Sequence, residues 1–215
     1  MTTRLFTSLE NRLSSSVPGC PRPVLEQYVR EAAIEMCEQT LAWRYEQDPI
    51  RLTAGIYEYD YETPDDTEVV AVIHAALNGQ KIDPLTQEQI HERFPSWPDQ
   101  DQRTEPRYLG QFDPDHFLVV PVPDAAKTYD LKMFLALRPT PDATGMDKTV
   151  FDDCEQAIIH GTLHRLLSLP EKSWTDKGLA DYHARQFIYK CSARRAKANL
   201  GVARASVTAR MNPLA

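Results

Sequence analysis

The 215-residue chain lacks the residue patterns of several common classes of site. Its 8 glycines form neither a P-loop nor a GxGxxG motif, which argues against a phosphate-cradling loop. Its four cysteines, Cys20, Cys37, Cys154 and Cys191, are far apart and form no CxxC pair, so neither a zinc ribbon nor a dense disulfide framework fits. Cys37 and Cys154 fall in apolar stripes, which raise a thiol pKa and make the group inert. We interpret all four as reduced packing residues.

Long apolar runs are also missing. No uninterrupted stretch approaches the ~20 residues that a membrane helix needs. The N-terminal sequence MTTRLFTSLENRL lacks the apolar core of a signal peptide. We therefore expect a soluble protein that is made in the cytosol and has no contact with a membrane.

Acidic residues are absent from one end of the chain. From residue 185 onward there are seven basic residues and no acidic one: Arg185, Lys190, Arg194, Arg195, Lys197, Arg204 and Arg210. The whole chain has 24 basic and 31 acidic residues, which leaves 17 basic and 31 acidic residues, a net charge of −14, for residues 1–184. Residues 48–140 alone have 8 basic and 17 acidic residues. The overall net charge of −7 argues against a dedicated nucleic-acid binder. The asymmetry between the two ends predicts an acidic partner for the C-terminus.

Three segments have apolar residues at steps of three and four, which predicts three helices. The first begins near Pro23 and should end before Asp48-Pro49, because proline disfavours a helical residue before it. The other two span about residues 147–168 and 176–200. In the last helix, we expect four side chains to face inward: Leu179, Tyr182, Phe187 and Cys191. Serines and prolines punctuate the first ~20 residues, where we expect no regular element.

Between the first two helices the apolar period changes to two, which predicts β-strands. Tyr57, Tyr59 and Tyr61 alternate with carboxylates, so the rings should lie on one face of a strand and the carboxylates on the other. This pattern is typical of a half-exposed sheet and is favoured over a ligand cage. The predicted strands cover residues 57–62, 68–77, 80–82, 107–112, 116–122 and 128–138.

Turn and cap signals divide this β-rich region. Asn78-Gly79 is typical of a tight hairpin, since both residues tolerate positive φ. Thr86 and Gln89 have the spacing of a capping box, which predicts a short helix over residues 87–94. Residues 96–106 are polar and flanked by prolines, so we expect an exposed loop there.

Together these elements predict an α+β protein: an antiparallel helical bundle interrupted by a β-rich insertion, with an extended C-terminal arm. The helical body should comprise residues 1–47 and 141–201 and should be discontinuous in sequence. The β-rich module should comprise residues 48–140. The arm should comprise residues 202–215, after Gly201 as the C-cap of the last helix.

Catalytic patterns are weak. His160 and His164 are four residues apart on one helix and could hold a metal, but Gly-Thr-Leu between them lacks the glutamate of the HExxH motif. A third ligand would have to come from elsewhere, and we favour packing over metal binding. His74 and His183 could be placed in a triad, yet no GxSxG elbow presents a serine. We expect no enzyme activity, no cofactor and no metal site.

The basic C-terminal end has two alternative functions beyond a solvated surface. It could neutralise nucleic-acid phosphates, although no aromatic residue follows Tyr189 to stack on bases. It could instead bind an acidic protein groove, because apolar residues alternate with its charges: Leu200, Val202, Val207, Met211 and Leu214. This alternation favours a protein partner for an arm that becomes ordered on binding.

Several phrases of the chain resemble a known family. They are residues 28–38 followed by Trp43, residues 117–123 and 136–139, residues 157–170 with Lys172, Trp174 and Leu179-Ala180, and Phe187 running into residues 194–201. In their order and spacing, over most of residues 24–201, they resemble the head-to-tail adaptor (connector) proteins of tailed bacteriophages, in particular of short-tailed types.

The resemblance implies a structural virion protein at the head–tail junction, assembled in the host cytoplasm. It implies a homo-oligomeric ring, typically of twelve copies, between the portal protein and a tail nozzle or tail tube protein. DNA would pass through the bore without specific binding, which an acidic lumen would favour. The implied portal interface comprises Arg194, Arg195, Lys197, Leu200, Val202, Arg204, Val207, Arg210, Met211 and Leu214. The alternative is a small nucleic-acid-binding protein that uses the basic tail.

Overall fold

The structure is a computed structural model that describes residues 2–95, 97, 103–111 and 113–200. It is a mixed α+β fold, as the sequence predicts. Its elements, in chain order, are β1 (Thr3–Leu5), a 3₁₀ helix (Phe6–Leu9), α1 (Glu10–Leu13), α2 (Arg22–Thr40), β2 (Arg44–Leu52), β3 (Glu58–Asp60), β4 (Thr67–Leu77), β5 (Gln80–Lys81), β6 (Asp83–Leu85), α3 (Gln87–Arg93), β7 (Tyr108–Gln111), β8 (His116–Val120), β9 (Tyr129–Pro139), β10 (Gly145–Asp147), α4 (Lys148–Leu167) and α5 (Lys177–Leu200).

The chain divides into two compact units. One unit, called the helical unit below, is Met1–Ala42 together with the chain from Met146 onward. The other, called the β unit, is Trp43–Gly145. In the part of the chain that the structure describes, no helix has the length and apolarity to cross a membrane.

Helices α2, α4 and α5 pack against one another in the helical unit. Their contact is close at Gly161 of α4, where an added Cβ would lie 3.0 Å from the Ala32 side chain and 3.0 Å from the Phe187 ring. Asp147 caps α4, as its carboxylate accepts hydrogen bonds from the main-chain nitrogens of Thr149 (2.9 Å) and Val150 (3.1 Å). The three helices therefore form one tightly packed core.

The N-terminal segment is regular, so the expectation of no element in the first ~20 residues is wrong. Phe6, Leu9, Leu13 and Val17 are buried at steps of three and four. Arg4 holds the segment on α4, because its guanidinium pairs with Asp152 and Glu155 and lies 4.5 Å from the Phe151 ring centre. The punctuating serines and prolines all follow Leu13, and a short helical turn fits before them.

Helix α2 ends at Thr40, seven residues before the predicted limit at residue 47. Its C-cap is Leu41, which has a left-handed backbone (φ +50°) and donates its N–H to the Cys37 carbonyl oxygen at 2.9 Å. Pro49, the predicted stop, lies inside strand β2 instead. It is tolerated there because β2 is an edge strand and its register shifts between Gln47 and Ile50, where a ladder hydrogen bond is not required.

The β unit contains two four-stranded sheets. One has the strand order β2-β9-β4-β5 and is antiparallel. The other has the order β3-β8-β7-β6, in which β6 and β7 are parallel and the remaining pairs antiparallel. Each predicted strand is present, with ends within two residues of the predicted ones. Strands β2 and β6 were not predicted, nor were β1 and β10.

Local signals in the β unit behave as predicted. Asn78 (φ +49°) and Gly79 (φ +83°) form the turn between β4 and β5. Thr86 and Gln89 form the complete capping box of α3. Tyr59 stacks on Phe117 with ring centres 5.6 Å apart, while Glu58 and Asp60 are exposed. Much of the predicted loop over residues 96–106 lies outside the described residues.

Candidate functional site

Helix α5 presents the basic residues that the sequence singles out, and its inner face fixes its position. Ala180, Phe187 and Cys191 are 2–3% exposed and lie against the helical unit. Asp176 begins the helix, since its carboxylate accepts a hydrogen bond from the Leu179 nitrogen at 2.9 Å. The helix is thus anchored on one side only.

Leu179 and Tyr182 do not face inward, so this part of the prediction is wrong. They are 50% and 47% exposed, and Ile188 and Tyr189 are exposed by 59% and 66%. The buried stripe follows Ala180, Phe187 and Cys191 at steps of seven and four. Apolar residues on both sides of α5 leave its rotation ambiguous in the sequence. Packing on α2 and α4 buries the side with Phe187, whose ring lies against Gly161 of α4.

The first two predicted portal-interface residues contact the helical unit itself. Arg194 pairs with Asp153 at 2.9 Å, and its side chain also lies beside the Cys154 thiol. The Arg195 guanidinium donates to the Gln39 carbonyl oxygen at 3.3 Å. Lys197 is exposed in the last turns of the helix. These contacts fix where the C-terminal end of α5 lies.

The remaining predicted interface residues lie at or after residue 200, the last residue that the structure describes. The Leu200 side chain and the following six lie outside the described residues: Val202, Arg204, Val207, Arg210, Met211 and Leu214. The predicted C-cap Gly201 also lies outside them. The described part of the candidate interface is therefore α5 up to its last turn.

The histidines that suggested a metal site have other partners. His160 of α4 and His183 of α5 face each other with their Nδ1 atoms 2.8 Å apart. His164 donates from Nδ1 to the Ala180 carbonyl oxygen at 3.2 Å. In the described ranges, no group of three or more His, Cys, Asp or Glu side chains is arranged to hold a metal ion. His74, the other histidine of the triad considered above, packs its ring 6.4 Å from the Phe134 ring on β9.

The environment of the histidine pair favours neutral rings. Burial and the nearby His183 and Lys190 lower the pKa of His160. Burial and the nearby His164 lower the pKa of His183. A neutral pair can share one N–H between the two nitrogens, which links α4 to α5.

The core cysteines are inert by environment, as predicted. Cys37, Cys154 and Cys191 are 0–3% exposed. Burial raises the thiol pKa of Cys37 and Cys154, and raises that of Cys191 to about 12. All four cysteines are free, and Cys20 is the partly exposed one. Such thiols serve packing between helices.

Two features of the β unit were not predicted. His116 lies between two carboxylates, with Nε2 3.2 Å from Asp60 and Nδ1 3.1 Å from Asp113. The hydrogen bond to Asp113 raises the pKa of His116. Gln47 is 1% exposed, and neither of its amide atoms has a hydrogen-bond partner. The alternating carboxylates around Asp60 are a sequence signal for the acidic site at His116. The burial of Gln47 depends on sheet packing and has no local signal in the sequence.

A comparison with protein families identifies the chain. A family model described as SU10 adaptor protein matches residues 3–214, nearly the whole length. No curated protein matches the chain significantly. The family match confirms the predicted head-to-tail adaptor class, and membership implies a structural, generally non-enzymatic protein that associates with portal and tail components in a virion. The chain therefore belongs to the SU10 adaptor protein family, the structural adaptors of phage virions.

Proposed function

We propose that this protein is the head-to-tail adaptor of a short-tailed phage and forms a ring, of twelve copies, between the portal and a tail nozzle or tail tube protein. The observation that carries the proposal is the basic charge of α5 and its position directly before the C-terminal segment. Its stretch from Tyr182 to Leu200 has five basic residues and no acidic one, and it leads directly into the C-terminal segment. Family membership supports the adaptor role.

The C-terminal segment, residues 202–215, is the proposed arm that binds the portal. Arg194 and Arg195 hold the last described turns of α5 to the rest of the helical unit, and the arm follows these turns in the sequence. Lys197, Arg204 and Arg210 steer the approach to an acidic groove. The apolar anchors of the arm are Leu200, Val202, Val207, Met211 and Leu214.

The acidic remainder of the chain suits a DNA passage. Residues 1–184 carry a net charge of −14, and carboxylates on the lumen of a ring repel the phosphates of a passing duplex. The duplex then slides without being held. A bore that is neutral or basic in the assembled ring contradicts this part of the proposal.

A truncation tests the arm. Chains of residues 1–201 and 1–215 are compared for co-sedimentation with purified portal rings of the same phage. We expect the truncated chain to lose binding while its circular dichroism and unfolding midpoint stay unchanged. Equal binding by the two chains would show that the arm is not the portal contact.

A matched pair of variants separates the protein-binding arm from a nucleic-acid arm. The change Met211→Ser with Leu214→Ser removes two apolar anchors, each worth about 1.5–3 kcal/mol if fully buried. We expect it to weaken portal binding at least about tenfold. The control, Arg204→Gln with Arg210→Gln, should mainly slow association and change its salt dependence. If the wild-type chain instead binds duplex DNA with a steep salt dependence, the nucleic-acid alternative is supported.

A further inference from the structure

Helix α5 has a second face that the described part of the chain leaves exposed. Tyr182, Arg185 and Tyr189 follow one another at steps of three and four, so they lie on one side of the helix, and Ile188 flanks them. All four are exposed. We call these four residues the α5 outer face. Large aromatic side chains beside an arginine are typical of protein interfaces.

The α5 outer face is not the main anchor of α5. Tyr182 meets the rings of His160 on α4 and of His183 edge-on, with ring centres 6.3 Å and 5.2 Å away, and is still 47% exposed. The inner face, with Ala180, Phe187 and Cys191, already buries the helix against α2 and α4. Arg194 and Arg195 contribute further contacts to the helical unit near the C-terminal end. The exposed Tyr182, Ile188 and Tyr189 therefore remain available to a partner.

The β unit carries the opposite charge on an exposed strand edge. Between Leu52 and Gln80 the chain has six acidic residues and no lysine or arginine. Glu58 and Asp60 are exposed on β3, the edge strand of its sheet, and Asp113 lies next to them through His116. The Asp60 side chain is 84% exposed. We call Glu58, Asp60 and Asp113 the β3 acidic edge.

We propose that the α5 outer face of one copy binds the β3 acidic edge of a second copy. The two surfaces differ and are complementary, with a basic aromatic patch on one side and carboxylates beside the 46% exposed Ile56 on the other. A contact between two different patches of the same chain is heterologous, and it forms a ring when the rotation closes. This inference rests on the proposed function, for which it names the contact between neighbouring subunits.

A second copy fits the α5 outer face better than a nucleic acid does. Tyrosines beside basic residues also occur in single-strand binding sites. However, every copy of this chain brings its own acidic surface, and a chain with a net charge of −7 disfavours a nucleic acid as partner. The acidic segment around β3 attracts the α5 of another copy.

A charge exchange tests the contact on the full-length chain without any portal. Self-association is measured by sedimentation velocity over rising protein concentration at low and high salt. We expect Arg185→Glu and Asp60→Arg each to weaken association at least about tenfold, a change of about 1.4 kcal/mol. The two changes in one chain should restore most of the wild-type association. Arg22→Glu, which reverses an 85% exposed arginine elsewhere in the helical unit, is the matched control and should change nothing.

Cross-linking provides the second readout. In a Cys20→Ser background, chains with Tyr189→Cys are mixed with chains that have Glu58→Cys, and a short bismaleimide is added. We expect a heterodimer band that exceeds the product of either variant alone. Cross-linking only between identical variants, or association that the Arg185→Glu change leaves intact, overturns the proposal.

Two further results overturn the proposal while leaving the proposed function testable. The first is a wild-type chain that stays monomeric at protein concentrations up to about 1 mM, which corresponds to an association weaker than about 4 kcal/mol. The second is loss of portal binding by Arg185→Glu with unchanged self-association, which assigns the α5 outer face to the portal. Conversely, the chain of residues 1–201 should still self-associate. Loss of portal binding by this truncated chain tests the arm alone. The proposed arm and the proposed contact between copies can therefore be disproved independently.

Discussion

The fully buried polar side chains of the helical unit and of the β unit differ in their hydrogen bonding. In the helical unit, Thr40 and Thr162 are fully buried, and each hydroxyl donates to the main-chain oxygen four residues earlier, at 2.7 Å and 2.8 Å. In the β unit, Gln47 is as deeply buried but has no partner for its amide. An unsatisfied buried amide costs about 1–3 kcal/mol. Among the fully buried polar residues, the two threonines of the helical unit are therefore satisfied, whereas Gln47 of the β unit carries a penalty that a substitution can remove. The helical unit has unpartnered buried atoms only on partly exposed residues of the described chain, Trp174 Nε1 and Arg194 Nε.

The two units also differ in the charge that they expose. The β unit exposes carboxylates on β3, and the helical unit exposes arginine and tyrosine on α5. Exposed charges add little to stability, with a median of about 0–1 kcal/mol for surface pairs. This difference therefore bears on association, and the difference in buried groups bears on stability.

The largest effect is expected where the helical unit is most tightly packed. Gly161→Val places a branched side chain where even a Cβ lies 3.0 Å from Ala32 and Phe187, both of them buried. We expect a loss of about 3 kcal/mol in the free energy of unfolding, as overpacked cores show. The measurement is urea unfolding followed by hydrogen exchange, which reads the two units separately. The same change at the exposed Gly178 should cost under about 0.5 kcal/mol. Similar losses at both sites would mean that the helical core around Gly161 is not tightly packed.

A smaller effect of the opposite sign is expected in the β unit. Gln47→Met replaces the unpartnered amide with an apolar group of similar size, so the β unit should gain about 1 kcal/mol. The matched control is Gln111→Met, which removes a hydrogen bond from Nε2 to the Val69 carbonyl oxygen at 3.3 Å. It should lose about 0.5–1.5 kcal/mol. Hydrogen exchange of β9 reports both changes, and a destabilised Gln47→Met chain would show that the amide has a partner in solution.

The smallest effects are expected from pH, with opposite signs in the two units. In the folded helical unit, the pKa values of His160 and His183 lie below the unfolded value of about 6.5. The contribution of the pair to the stability of this unit is therefore complete above about pH 6.5 and is lost as the pH falls through the folded pKa values. A second proton would also place two N–H groups between nitrogens 2.8 Å apart. Acidification from pH 7.5 to 5.5 should therefore weaken the helical unit in hydrogen exchange.

His116 gives the opposite dependence in the β unit. Asp113 raises the pKa of His116 in the folded β unit. The contribution of His116 to the stability of this unit is therefore fully present below about pH 6.5 and is lost as the pH rises through the folded pKa. His183→Gln should flatten the pH response of the helical unit, and His116→Gln should flatten that of the β unit. The exposed His91→Gln is the control for both. The same pH response in the wild type and in His183→Gln would contradict the role of the histidine pair.

Local signals explain which parts of the fold could be predicted. The turn at Asn78-Gly79 and the cap formed by Thr86 and Gln89 depend on residues within four positions, and both are present as expected. Pro49 is a local signal for a helix end, but the chain leaves the helix earlier, at Leu41, and pairs with β9 as an edge strand. Such pairing depends on partners far along the chain.

The candidate site was predictable in composition and not in geometry. The basic run of α5 is visible in the sequence, whereas the outward position of Tyr182 follows from packing on α2 and α4. The contact of Arg195 with the Gln39 carbonyl oxygen joins residues 156 positions apart, and no sequence pattern marks it. The acidic edge around His116 likewise joins Asp60 on β3 to Asp113 through a strand pairing.

Negative-stain electron microscopy tests the adaptor account most directly. Full-length protein is mixed with purified portal rings of the same phage, and side and axial views are averaged. We expect a ring of added density stacked coaxially on one end of the portal, with the same symmetry as the portal in axial views. With the chain of residues 1–201 we expect no such ring. Bare portal rings with the full-length protein, or added density without axial symmetry, would contradict the proposed adaptor role.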